Sequence, residues 1–157
     1  MIQKQKISGG LQMNKNQIFI RCGTDYKEMT KLLLEDSDLA GQIGDREKLI
    51  GIKPNLVSPV EASWGGTTHP EVVAGIIEYL QKYDFHKIVM LEGSWVGDRT
   101  QEAYQVCGFE ALSQKYQVPF WDMQKDKGVA VECGGMTLNV CQKVLDLDFL
   151  INVPVLK

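Results

Sequence analysis

The 157 residues include only three arginines, Arg21, Arg46 and Arg99, and only two histidines, His69 and His86. Arginines this few and this scattered leave almost none of the bidentate forks that clamp phosphates. With 17 Lys plus Arg against 20 Asp plus Glu, the net charge of -3 has the wrong sign for a nonspecific nucleic-acid binder. Two histidines exclude a multi-histidine metal centre. The four cysteines, Cys22, Cys107, Cys133 and Cys141, are dispersed and show no close pair of the zinc or iron–sulfur kind. They read as small buried hydrophobes in a reducing compartment. No apolar run approaches the roughly 18 residues of a membrane span. The amino end carries lysines without an apolar stretch behind them, so it does not read as a secretory signal. These absences point to a cytoplasmic protein that binds no metal, nucleic acid or membrane.

What is present is an ordinary globular balance, 44% apolar and 24% charged. Residues 1–16 are polar and aperiodic, and read as a disordered tail, an expression remnant or a late second start at Met13. From Gln17 to Lys157 the pattern is that of one α/β domain. IFIRC (18–22) reads as a strand. Asp25 with Glu28 opens a helix whose stripe is Tyr26, Met29, Leu32 and Leu33, ending before Gly41 or Gly44. LIGIK (49–53) is a strand closed by Pro54. Thr68 and Glu71 form a capping box ahead of Val72, Val73, Ile76, Ile77 and Leu80, which recur at helical spacing. KIVMLE (87–92) is the continuous apolar run of a strand buried on both faces. A helix from about Arg99 breaks at Gly108 and resumes through Phe109, Leu112 and Tyr116, followed by a strand over 118–123. Gly134–Gly135 between β-rich runs predicts a hairpin, and 148–156 reads as a last strand. This order predicts a three-layer, Rossmann-like α/β fold with a mainly parallel sheet and a C-terminal β-hairpin.

In open α/β sheets ligands bind beyond the carboxyl ends of the strands. Lys53, Asn55, Thr67, Thr68, His69, Glu92, Ser94, Asp98, Asn152 and Lys157 then share one edge. Gly65, Gly66, Thr67 and Thr68 ahead of a helix suit an anion, because glycines admit close backbone approach and the helix amino end presents unpaired N–H groups. The same residues also suit a plain turn, with Thr68 as the cap and His69 exposed in the first turn. The pattern is neither the phosphate loop of nucleotide triphosphatases nor the dinucleotide turn, so it implies no ATP or NAD. Lys53, at the end of an apolar strand, needs a partner, and Glu92 supplies one if the two strands are neighbours. An ion pair with Glu92 and a catalytic role for Lys53 fit these residue types equally, and His69 and Glu92 are the other catalytic candidates. Trp64 and Trp95 lie in two of the edge loops and are expected to pack over helix ends, or else to line a pocket.

The segments GIKPNLVSP, TTHPEVVAGIIEYL, KIVMLEGS, TQEAYQVCGFEALSQKYQVPFWDM and DFLINVPVLK, in this order, closely resemble the domain of unknown function 362 family. The likeness runs from about Gln17 to Lys157. The resemblance implies a bacterial or archaeal protein of a family with largely unassigned biochemistry. Many members carry an appended ferredoxin-like domain with 4Fe–4S clusters, which implies a redox context. Family chains continue past the lysine matched by Lys157, often with Thr-His, so this sequence is expected to be the family's amino-terminal part. The clustered cysteines are missing, so no cofactor is expected here. The layout is also similar to the amino-terminal half of lactate racemase, without residues that would transfer its nickel cofactor.

Three expectations of function follow. The first is a small anionic ligand or cofactor held by Asn55, Gly65, Gly66, Thr67, Thr68, His69, Ser94, Asn152 and Lys157 within a larger redox-associated protein. The second is a noncatalytic interaction module for a ferredoxin-like domain or a second subunit. The third is an isomerase of racemase-like layout. Whether the chain is an enzyme stays open at this point.

Overall fold

A computed structural model describes residues 17–97 and 99–156. The expected tail over 1–16, Asp98 and the candidate Lys157 lie outside the described residues.

The first helix, α1 (Tyr26–Asp36), starts where the Asp25 side chain accepts from the Glu28 N–H at 2.9 Å. The chain turns at Asp38, in the left-handed region, into the short α2 (Leu39–Ile43), which ends at Gly44 with φ +75°. Strand β1 (Ile50–Pro54) leads through a long loop to α3 (Pro70–Lys82) and then β2 (Ile88–Glu92). Two helices, α4 (Thr100–Val106) and α5 (Phe109–Tyr116), meet at Gly108, whose φ of +82° makes the break. Strand β3 (Phe120–Asp122), the hairpin β4 (Gly128–Cys133) and β5 (Met136–Cys141), the short α6 (Gln142–Leu145) and β6 (Phe149–Val153) complete the order.

Four strands form a parallel sheet in the order β3-β2-β1-β6, while β4 and β5 pair antiparallel in a sheet of their own. The fold is therefore the expected α/β class, with a parallel sheet, flanking helices and a separate hairpin. Side chains alternate across a strand, so Ile50 and Ile52 share a face with their register partners Ile88, Met90, Phe149 and Ile151. That face packs on Val73, Ile76, Ile77 and Leu80 of α3 and on Phe85 and Phe109. On the other face, a Cβ added to Gly51 would stand 2.4 Å from Leu147 and 2.8 Å from Leu91. Two leucines fill the space that glycine leaves, and the segment after α6 closes this side of the sheet.

Four expectations need correction. Residues 18–22 form no strand: Ile18 and Ile20 are 83% and 78% exposed, and the place beside β1 is taken by β6. An alternating pattern makes a strand only where a neighbour offers hydrogen bonds. The stripe of α1 is also rotated. Tyr26 and Leu32 are exposed, whereas Thr30 is buried and Leu34 packs on the core. The cause is Gly75 of α3, where an added Cβ would stand 2.6 Å from the Lys27 carbonyl and 2.9 Å from Thr30, so the two helices cross at that point. Next, the cap of α3 is His69 and not Thr68: Pro70 sits at the first helical position, its fixed φ places the cap on the preceding residue, and His69 Nδ1 accepts from the Glu71 N–H at 3.2 Å. Finally, Trp64 and Trp95 do not pack over helix ends: they are 81% and 70% exposed, and Trp95 follows the alternative, lining a hollow.

Candidate functional site

Parallel register brings the carboxyl ends of β1, β2 and β6 together, with Lys53 directly beside Asn152. Lys53 leaves the sheet at the point where Pro54 ends β1, and its Nζ lies 2.8 Å from Glu92 Oε2 at the end of β2. Glu92 is buried, and burial of a lone carboxylate would be costly. Three donors offset that cost: the Lys53 ammonium, the Gly93 N–H at 2.7 Å on Oε1, and the Leu56 N–H at 3.4 Å on Oε2. The Lys53 side chain keeps 39% of its surface exposed. An ammonium has three protons, so anchoring one on Glu92 leaves two directed elsewhere.

The loops above this pair are cross-braced. The Asn55 N–H donates to Thr68 Oγ1 at 2.8 Å, and that hydroxyl donates to the Val153 carbonyl at 2.7 Å, so one threonine joins the β1 loop to β6. Asn55 Nδ2 donates to the Gly66 carbonyl at 2.8 Å. The Thr67 hydroxyl donates to the Val60 carbonyl at 3.0 Å. Ser94 Oγ donates to the Leu56 carbonyl at 2.8 Å, while the Trp95 N–H donates to Val57 at 3.0 Å. These bonds hold the 55–57 and 92–95 loops side by side.

Two open hollows meet at Lys53. One, of ≈ 240 Å³, is lined by Lys53, Asn55, Val57, Glu92, Gly93 and Trp95. The other, of ≈ 320 Å³, runs from Lys53 and Glu92 along Leu91, Met123, Cys141 and Val144. The site thus has the Lys53–Glu92 ion pair at its centre, a polar side toward Asn55 and an apolar side toward Val144. Cys141, Met123 and Gln124 of this second wall were not among the expected residues. They come from the hairpin crossover, and local spacing gives no sign that it folds back on β2.

The expected residues therefore divide. Lys53, Asn55, Glu92 and Ser94 line the strand-end cleft, with Asn152 in register beside Lys53. The hydroxyls of Thr67 and Thr68 are engaged by the backbone. Gly65 and Gly66 face open space, and nothing would meet a Cβ there. His69 stands apart: its Nδ1 caps α3, its ring lies 4.3 Å from that of Tyr26, and it borders a different hollow of ≈ 250 Å³ beside Glu61 and Cys107. Burial pushes the Cys107 thiol above its ordinary value, and the thiol donates to the Val60 carbonyl at 3.2 Å. That thiol is a packing group with little thiolate character. Among the described residues no three His, Cys, Asp or Glu side chains converge as metal ligands would, and no helix is long and apolar enough to cross a membrane.

Comparison with curated proteins and with solved structures gives no match. The family model described as a domain of unknown function (DUF362) matches residues 50–157, from the first residue of β1 through every element of the strand-end cleft. That span is more than half of the chain, and the chain belongs to the DUF362 family.

Proposed function

We propose that the cleft at the carboxyl ends of β1 and β2 binds a small anionic ligand or cofactor, with Lys53 as the cation that holds it. The observation that carries this reading is the anchored, part-exposed Lys53 ammonium between two hollows. Glu92 fixes the amine in one pose, and backbone N–H groups share the carboxylate's charge, which leaves part of the lysine's charge for a ligand. The polar wall at Asn55 suits the anionic head, and the wall of Leu91, Met123 and Val144 suits an apolar remainder. In this reading the domain serves a larger redox-associated protein, an expectation that comes from the family resemblance. Of its four free cysteines only Cys107 is buried, as was expected of all four, and Cys22 and Cys133 are exposed, which fits a reducing compartment.

The reading is tested by titrating inorganic phosphate, and separately acetate, into the protein while recording backbone amide shifts. The expected result is saturable movement of Leu56, Gly93 and Trp95, lost in Lys53→Met. Saturation that survives Lys53→Met, or no movement at these amides, overturns it.

One observation favours the second reading, a noncatalytic interaction module. Trp64, Trp95 and Val96 are all strongly exposed on the loops of this edge, and tryptophan is the residue type most enriched at binding hot spots. A ferredoxin-like domain or a second subunit seated there would cover all three.

A further inference from the structure

The β4–β5 ribbon has two unlike faces. Its register pairs Val129 with Val140, Val131 with Leu138 and Cys133 with Met136, and alternation puts these six side chains on one side. Gly128, Ala130, Glu132, Thr137, Asn139 and Cys141 take the other. The apolar face opens to solvent toward the turn, where Leu138 is 43% and Met136 63% exposed. A two-stranded ribbon is at best marginally stable in water, and three or more strands with an apolar face are the usual remedy.

The two outer edges of the ribbon are not equivalent. Proteins guard exposed edges with charges, prolines and bulges. The β4 edge carries Glu132 and follows Lys127 directly. The β5 strand, MTLNVC, has no charged residue, no proline and no glycine, and its first four residues are exposed.

We infer that the β5 edge is a homodimer interface, where a second copy adds its own β5 antiparallel about a two-fold axis through Leu138. In that register Leu138 faces its counterpart, and Met136 faces Val140 of the second copy. Thr137 faces Asn139 of the second copy. Apolar residues therefore meet apolar ones on one face, uncharged polar residues meet on the other, and no like charges are opposed. A joint through β4 would place a carboxylate, Glu132, from each copy on the seam. A single added peptide strand would leave a new open edge, whereas a second copy turns two marginal ribbons into one four-stranded sheet with a continuous apolar face. The joint pairs five residues, 136–140, over about 17 Å, and one strand pair of that length makes a contact well below the roughly 1,200 Å² of a standard stable interface. The dimer is therefore weak and concentration-dependent.

Sedimentation velocity of the 157-residue protein from micromolar to high micromolar concentration tests this. The expected result is a reversible rise in weight-average sedimentation coefficient, with concentration-dependent protection of β5 amides from hydrogen exchange. Leu138→Lys sets two ammonium groups against each other at the axis and is expected to weaken association at least tenfold. Thr137→Lys tests the same joint without disturbing the ribbon, since the new cation gains Glu132 as a cross-strand partner. A monomer at every concentration, or association indifferent to both lysines, overturns the inference.

Discussion

All five residues of β2 are buried, whereas the first four of β5 are exposed, although both strands are rich in apolar side chains. The difference lies in what covers them. β2 sits inside a parallel sheet with α3 against one face, and on the other its Leu91 meets Leu147 over Gly51. Among the described residues the β4–β5 ribbon is tied down at its foot. There the Gln142 N–H donates to the Lys127 carbonyl at 2.9 Å and the Lys143 N–H to Asp126 Oδ2 at 2.9 Å. Parallel strands need a crossover, and the crossover itself brings the cover. A hairpin forms without one, so its apolar face is left for whatever the fold or a partner supplies.

This comparison predicts the largest effect in the sheet and a small one in the ribbon. Ile77→Ala removes a fully buried side chain between α3 and the sheet, and is expected to cost about 2–5 kcal/mol in urea unfolding. Leu138→Ala, measured in dilute solution where the chain is monomeric, is expected to cost less than about 1 kcal/mol, because nearly half of that side chain already meets water. Equal losses at the two positions would break the contrast.

The same contrast explains what was legible in the sequence. The run IVMLE, the spacing of Val73, Ile76, Ile77 and Leu80, and the turn at Gly134–Gly135 each encode an element locally, and each element is found. The Lys53–Glu92 pair was legible too, because a lysine ending one apolar strand and a glutamate ending the next need each other once the strands are neighbours. Residues 18–22 show the opposite case: their alternation is real, but β6 holds the edge they would have joined. The rotation of α1 depends on Gly75, some forty residues away, and the outward turn of Trp64 and Trp95 depends on loops no period describes. Thr68 is the sharpest miss at the site. Its position suggested a helix cap, but its hydroxyl is bonded to Val153, 85 residues further on.

Thr68→Val gives the intermediate effect. The substitution keeps the shape and removes both bonds, leaving the Asn55 N–H without its acceptor and the Val153 carbonyl without its donor. Loss of such part-buried bonds is expected to cost about 1–3 kcal/mol, with faster exchange of the Asn55 amide. Thr68→Ser restores the amide's protection if the hydroxyl is the cause. A slow Asn55 amide in Thr68→Val would show that the loop is held by its other braces.

The smallest effect separates α1 from the sheet by pH. Burial raises the affinity of Glu35 for a proton, but the Lys82 ammonium at 2.6 Å and the Tyr83 hydroxyl at 2.5 Å outweigh it and hold the carboxyl below its ordinary value of 4.5. Glu78 is likewise held low, with burial opposed by the Tyr116 hydroxyl at 2.7 Å and by Lys27 and Lys31. Through Lys82, Tyr83, Lys27 and Lys31 these carboxylates join α1 to α3 and the residue that ends it. A carboxylate whose folded value is depressed contributes stability that is complete above the unfolded value and is lost as pH falls through the folded one. Acidification from pH 6 to below 4.5 is therefore expected to speed amide exchange in α1 while β1 and β2 stay protected. The effect is modest because the pairs are partly exposed. Replacing both acids in Glu35→Gln with Glu78→Gln should flatten the response of α1 to acid. If the slope stays unchanged in that variant, the docking of α1 depends on the Gly75 crossing alone, and its exposed Tyr26 and Leu32 face is held without help from charge.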